Sequence, residues 1–319
     1  MHEQEKIPPA ASVVVCAYKS RQTITRCLEA LSSQETSLAY EVIVVESSGD
    51  GTGDLIRERF PRVRLIESPH RLFLGAAKNV GAEAASAELV LFIDSDCVAE
   101  AAWLDKICKA LTLRKCAAVG GAILNGNPET PVSVAAYISE FSHLFPVGRS
   151  RRIDYLPGGN AGYRADVFRA YGGFEFTEPL YVDLMLGKRL SASGEKLLFE
   201  PDIRVMHWHR DSLKEHVSHQ IKRGRAAALA RRRGLLIGKS WIKYPGLALL
   251  VTPGLFARKA VVFTLRFARA FPLELGALIR ALPYFLLGMA YWHYGFLKEV
   301  LQPTKAQAEQ EMSAECTSS

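Results

Sequence analysis

At 319 residues the chain can form one large α/β domain of about 200–250 residues plus an appendage, and its hydrophobic content of 49% is ample for a core. Its six cysteines are scattered without a C-x-x-C pair, which excludes a disulfide framework and a zinc knuckle and points to a reducing, cytosolic environment. The net charge of +7 is unevenly placed: His216 to Leu273 holds twelve Lys or Arg and no acid, whereas the N-terminal two-thirds is close to balanced.

Residues 1–11 read as a tail, and "MHEQEKIPPA" carries no apolar run, so no secretory signal is expected. "SVVVCA" (12–17) reads as a buried strand. "SRQTITRCLEALSSQ" (20–34) has helical spacing, with Ile24, Cys27, Leu28 and Leu31 on one face. A second strand, "YEVIVVES" (40–47), leads through the turn "SGDGTG" into a short helix with Asp54 near its start. "VRLIES" (63–68) is a third strand, "LGAAKNVGAEAAS" (74–86) a small-residue helix and "ELVLFID" (88–94) a fourth strand. A helix over 101–112 and a strand over 116–124 follow. This alternation predicts a Rossmann-like, mostly parallel sheet with helices on both faces.

The stretch 125–200 is less regular. "YLPGGNAGYRADVFRAYGGF" (155–174) is glycine-rich and then helical, and 181–194 reads as an amphipathic helix stopped by Gly194. "KLLFEPDIRVMHW" (196–208) contains two strand-like runs around Pro201. Beyond 210 come a basic helix, an uncharged run over 244–257 broken by two prolines, and seventeen residues (281–297) without a formal charge. The tail 302–319 is polar and reads as disordered.

Ligands of an open parallel sheet bind at the carboxyl ends of its strands. Here those ends are "CAYKS", "VESSGDG", "ESPHR" and "DSDC", all polar, so four of them converge on one site. Asp94 and Asp96 end an apolar run whose interior cannot hold two unpaired carboxylates. They either cap the next helix as exposed acids or hold a divalent cation together with a nucleotide diphosphate. Hard oxygen ligands of this kind suit Mg²⁺ or Mn²⁺.

The order of motifs resembles family 2 glycosyltransferases of the GT-A fold over residues 12–210. The matching segments are "VVVCAYKS", "VVESSGDGT", "GAAKNVG", "FIDSD", "GGNAGYRADVFRAYGGFEF" and "VMHWH". Lys19 stands where the family usually has Asn, and Glu46 where it usually has Asp. The resemblance implies that Ala17, Tyr18 and Glu46 hold the nucleobase and ribose, with Lys78 and Asn79 beside the base or diphosphate. Asp94 would contact the ribose or the metal, and Asp96 would bind the metal. His207, or His209 as the second choice, would add a metal or diphosphate contact, and Gly159 and Asn160 would line the acceptor side. It also implies an inverting transfer, in which a general base faces the acceptor hydroxyl. Family members place that base in an acidic pair before an "xDL" helix start. This chain reads "TEPLYVDL", with Leu180 and Tyr181 in those positions. Glu178 and Asp183 are the candidates left.

In the carboxyl third (211–301) cations alternate with apolar and aromatic blocks rather than with acids. A basic stripe suits nucleic acid, but "FLLGMAYWHYGF" has no reason to face phosphates. An anionic membrane surface explains both halves. A spanning helix needs about 20 apolar residues, so peripheral or re-entrant helices on the cytoplasmic side are expected. The implied partners are a nucleotide-sugar donor and a glycan or lipid-linked acceptor, with no nucleic acid. Two alternatives stand beside this reading: a membrane-bound scaffold whose base has been lost, and a nucleotidyltransferase.

Overall fold

The computed structural model describes residues 8–175 and 181–302. They form two compact units. One comprises the chain up to Gly126 with Leu144–Trp208, and the other comprises Asn127–His143 with the chain from His209. The expected single boundary at 210 is thus joined by an excursion, because a helix following residue 130 packs with the carboxyl-terminal helices. The expected tails fall almost wholly outside the described residues.

In the first unit, strands β1 (Ala11–Ala17), β2 (Tyr40–Glu46), β3 (Arg64–Glu67) and β4 (Leu89–Asp94) are parallel, in the spatial order β3-β2-β1-β4. Helices α1 (Ile24–Ser32), α2 (Thr52–Arg59) and α3 (Leu74–Ala84) make the crossovers. The runs Val13–Val15, Ile43–Val45 and Leu91–Ile93 are almost wholly buried, as parallel strands covered on both faces require. The small residues of α3 serve close packing: a Cβ on Gly81 would collide with the side chain of Val14. Register aligns Cys16 with Asp94, Ala17 with Glu46, and Glu46 with Glu67, so the four carboxyl ends lie level.

The rest of the sheet is mixed. After β4 come β5 (Cys97–Ala99), α4 (Trp103–Leu113), β6 (Ala118–Asn125), helix α5 (Pro131–Phe141) of the second unit, β7 (Arg151–Arg152) and β8 (Asn160–Arg164). Then follow α6 (Ala165–Ala170), α7 (Val182–Ala192) and β9 (Leu197–His207). The nine-stranded sheet has the order β3-β2-β1-β4-β8-β6-β9-β5, with β7 on β9. Strand β8 runs antiparallel to both β4 and β6, while β6 and β9 pair in parallel, so the sheet is mixed, with its continuous parallel run in β3-β2-β1-β4. The two runs around Pro201 form one strand. Leu197–Glu200 pairs with Ala118–Gly121 and Arg204–His207 with Ala122–Asn125, and Pro201, which has no N–H to donate, falls in the register shift between them.

Phe92, Tyr163, Phe168 and Phe174 form an aromatic cluster with ring centroids 5.1–6.0 Å apart. Each such ring contributes about 1.5–3 kcal/mol by burial. Trp103 is fully buried, as its place on an apolar helix face predicts.

The second unit is helical: α5, α8 (Leu213–Arg232), α9 (Lys239–Ile242), α10 (Pro245–Ala270), a 3-10 turn (Pro272–Glu274) and α11 (Leu275–Leu301). Helix α5 is missing from the sequence reading, although Pro131 at its first turn and the Thr130 hydroxyl accepting from the Ser133 N–H at 3.1 Å are start signals. The expected break over 244–257 does not occur. Pro245 sits in the first turn of α10, where its missing N–H costs nothing, and the helix continues through Pro253. Likewise α11 runs through Pro283. Both helices are therefore long and apolar enough to cross a membrane.

Helices α8 and α11 approach closely at two glycines. A Cβ on Gly224 would strike the Trp292 carbonyl, and one on Gly295 the Ile221 carbonyl. Arg225 pairs with Glu299 at 3.0 Å across the same contact. Glu140 on α5 lies 3.5 Å from His219 and 3.8 Å from Arg210. Burial alone would raise its pKa, but His219, Arg223 and Arg210 hold the carboxyl well below the usual range.

Candidate active site

Ala17 ends β1 buried, and Tyr18 beyond it is 38% exposed. Together with Cys16, Ser47, Arg71, Phe73 and Leu74 they line a cleft of about 190 Å³. The Arg71 guanidinium stacks 4.5 Å over the Tyr18 ring and 5.8 Å from that of Phe73. Flat aromatic and guanidinium faces beside a strand end suit a planar base. Glu46 is 2% exposed and bonds into its own turn: it accepts from the Ser48 N–H at 2.6 Å, from the Ser48 hydroxyl, and from the Gly49 N–H at 3.3 Å. It shapes the rim of the site from beneath.

A charge network built around a buried lysine lies at the next strand end. The Lys78 ammonium, 1% exposed, is 3.5 Å from Asp94 and donates to the Gly158 carbonyl at 2.8 Å. On the far side, the Gly158 N–H donates to Asp183 Oδ2 at 3.0 Å, and Asp183 Oδ1 has no hydrogen-bond partner among the described residues. Burial pulls the Lys78 pKa down, but Asp94 and Asp183 outweigh it and hold the ammonium above its usual range. Burial pushes the Asp183 carboxyl up, against the pull of Lys78. The glycine pair is obligatory here. A Cβ on Gly158 would collide with Lys78 and Asp183, and one on Gly159 with Asp94.

Asp96 turns elsewhere. Pairing of Cys97 with His207 across β5 and β9 sets Asp96 Oδ2 3.4 Å from His207 Nε2. Asp96, Cys97 and His207 form a cluster with one ligand atom each within 4.8 Å of one another. Burial and the charges of Asp96 and Asp94 push the Cys97 thiol far up, and its sulfur is a soft donor ill suited to a hard divalent ion. The carboxylate and the imidazole are the usable donors. The two acids of "DSD" thus have different partners: Asp94 has a lysine, and Asp96 a histidine.

Two predicted residues do not reach this surface. Asn160 is fully buried; its Nδ2 donates to the carbonyls of Ala122 and Ile203 and its Oδ1 accepts from the Trp103 indole. Asn79 brackets Phe174, accepting from its N–H at 2.9 Å and donating to its carbonyl at 2.8 Å. In both cases the amide is consumed in holding the backbone that carries the glycine pair or the aromatic cluster. Glu178 lies outside the described residues. His209 belongs to the helical unit, between the rings of Tyr137 and Phe141. Arg71 stands in the strand-end segment "ESPHR" but has no role in the sequence reading, and Phe73 goes unnoticed there.

Residues 12–172, just over half of the chain, match the profile of Glycosyl transferase family 2. Among curated proteins, the glycosyltransferase AglE of Haloferax volcanii is 26% identical over 204 residues, covering 62% of this chain and 67% of its own length. The pre-mycofactocin glycosyltransferase of Mycobacterium tuberculosis is 29% identical over 173 residues, and this chain spans only 36% of its length. The O-antigen chain rhamnosyltransferase WbaN of Salmonella anatum is 22% identical over 294 residues, 84% of this chain and 91% of that protein. A solved structure of the mannosyltransferase PcManGT from Pyrobaculum calidifontis, in complex with GDP-Man and Mn²⁺, shares the fold with a TM-score of 0.58 at 19% identity. It covers 93% of this chain and 89% of that one.

Proposed function

The chain belongs to glycosyl transferase family 2, and from that premise we propose that it is an inverting, metal-dependent enzyme moving a sugar from a nucleotide donor to a glycan or lipid-linked acceptor at the cytoplasmic membrane face. The observation that carries this reading is the division of labour in "DSD". Asp96 and His207 form a donor pair for a hard divalent ion, beside a strand-end cleft floored by Tyr18 and Arg71. One carboxylate and one imidazole fit Mn²⁺ or Mg²⁺, and the donor's diphosphate would complete the ligand set. When bound, the ion supplies positive charge against the charge developing on the leaving diphosphate. Lys78 holds Asp94 in place for the donor and keeps the Asp94 and Asp183 carboxylates from repelling each other.

Asp183 is the base candidate that the geometry favours within the described residues. One oxygen is held by Gly158, the other is unengaged, and burial raises its proton affinity toward a useful range. Tyr181, in a position the family gives to an acid, has a left-handed backbone (φ 64°) and is the observation that favours binding without turnover. Domain roles follow the same reading: residues 12–210 carry the transfer chemistry and 211–301 the membrane attachment. Helix α11 buries Phe285, Met289, Trp292 and Phe296, and Arg258 and Lys259 fall mid-way along α10. Both features support helices lying at the membrane surface rather than crossing it.

The test is calorimetry of UDP and GDP with and without Mn²⁺. Metal-enhanced binding is expected for the natural chain and its loss for Asp96→Asn, with turnover of the matching donor sugar reduced at least about 100-fold. Undiminished metal-dependent binding and turnover in Asp96→Asn would overturn the assignment. Nucleotide binding without turnover on any acceptor would favour the scaffold reading.

A further inference from the structure

The cleft at the end of β1 suits a flat base, but flatness does not choose among bases. Stacking on aromatic and guanidinium faces is tolerant, because every base has a π face. Choice comes from hydrogen bonds along the edge of a base, so the polar groups of the cleft decide it. Among its described lining residues Arg71 is the one charged side chain, and none is a carboxylate or a carboxamide. Glu46 ends β2 level with Ala17, yet both of its oxygens are engaged by the turn through Ser48 and Gly49. The cleft therefore presents a strong donor and, hydroxyls and backbone aside, no acceptor to match it.

Arg71 is prepared for such a role. Its guanidinium lies 4.5 Å from the centroid of the Tyr18 ring and 5.8 Å from that of Phe73. Contacts of this kind draw the cation to the ring faces and restrain a side chain that has many rotamers. No hydrogen bond or ion pair engages its N–H groups among the described residues. Lys19, 5.7 Å from the same Tyr18 ring, is a point charge without a planar fork.

A fork of parallel N–H groups matches an edge with two adjacent acceptors. Guanine has such an edge, O6 beside N7. Adenine sets an amino group next to N7, which would meet the fork donor to donor. Uracil sets O4 next to an N–H, so it offers the fork a single acceptor.

We propose that Arg71 selects a guanosine diphosphate donor by a two-point contact to O6 and N7 of the base. The inference names the nucleobase for the transferase reading above and rests on that reading.

The experiment is calorimetry of GDP, UDP, ADP, inosine diphosphate and 7-deaza-GDP, each with Mn²⁺, on the full chain and on its Arg71→Gln and Arg71→Ala variants. GDP is expected to bind at least about tenfold more tightly than UDP or ADP, a difference of about 1.4 kcal/mol. Inosine diphosphate keeps O6 and N7 and is expected to match GDP. 7-deaza-GDP lacks the N7 acceptor and is expected to lose about three- to tenfold. Arg71→Ala is expected to bring GDP down to the level of UDP. Arg71→Gln, whose amide sets a donor beside an acceptor, is expected to favour ADP over GDP. Arg71 is exposed, so neither substitution touches the core. Equal losses for GDP, UDP and ADP in the variants would mean that Arg71 holds the phosphates or only stacks, and would overturn the proposal. UDP binding as tightly as GDP to the natural chain would overturn it too, while leaving the transferase reading intact. If no nucleoside diphosphate binds with Mn²⁺, the transferase reading itself fails and the proposal with it.

Discussion

Both units bury charge, but they use it differently. In the sheet unit, Lys78 sits between Asp94 and Asp183 at the level where parallel strands stop, and one oxygen of Asp183 is left unengaged. In the helical unit, Arg225 of α8 pairs with Glu299 of α11, and Glu140 of α5 with His219 of α8 and with Arg210. Replacing a buried ion pair by apolar groups is often neutral, while removing one partner is costly. The lesson is that buried charge alone does not mark a site. What marks one is buried charge with spare bonding capacity at a place where the fold leaves backbone ends open.

The sharpest break in that comparison comes from Lys78→Met. It leaves the partly exposed Asp94 and Asp183 without their shared cation, and a loss of about 1–3 kcal/mol is expected in urea unfolding. Adding Asp183→Asn to that variant is expected to restore a large part, because the second carboxylate no longer ionises. The same pair gives a pH signature. Burial raises the Asp183 pKa in the folded protein, so its ionisation disfavours folding, and the penalty is absent below the unfolded value and grows as pH rises through the folded one. The stability of Asp183→Asn relative to the natural chain should therefore improve from acid toward neutral pH. A difference that is flat in pH would remove Asp183 as a raised-pKa group.

The helical counterpart is Gly295→Leu. Its side chain meets the Ile221 backbone rather than a movable side chain, and a loss of about 1–3 kcal/mol is expected. Hydrogen exchange should place that loss in α8 and α11, with the strand amides of β1 and β4 unaffected; equal loss in both units would blur the distinction between them. The smallest effect belongs to Lys19, whose φ of 56° lies in the left-handed region. Asn or Gly tolerates that conformation better, and Lys19→Asn is expected to raise stability by about 0.5–1 kcal/mol in thermal unfolding.

The parallel half of the sheet was readable because its strands are continuous apolar runs with polar ends, and the run LVLFID announces its own burial. Asp96 and His207 were readable only as types: each stands where the family pattern puts a ligand, but 111 positions separate them in the chain. Asn79 and Asn160 show the opposite failure. A polar side chain inside a motif looks like a ligand contact from the sequence, yet the Asn79 amide is spent on the Phe174 backbone and the Asn160 amide on two carbonyls and the Trp103 indole. The unforeseen continuity of α10 and α11 has a related cause, since a proline costs one helical bond while the packing of a long apolar face acts over many residues.

Local chemistry therefore determined where strands begin and end, which helix had to be small enough to lie against β1, and that acids must emerge at the end of β4. Those features depend on neighbours within a few residues. Only the tertiary structure decided which partner each aspartate takes. The Cys97–His207 pairing turns Asp96 to an imidazole, and the Gly158–Gly159 approach leaves room for Lys78 beside Asp94. Charge partners are chosen by distance in space, and in this fold strand register and a pair of glycines set that distance.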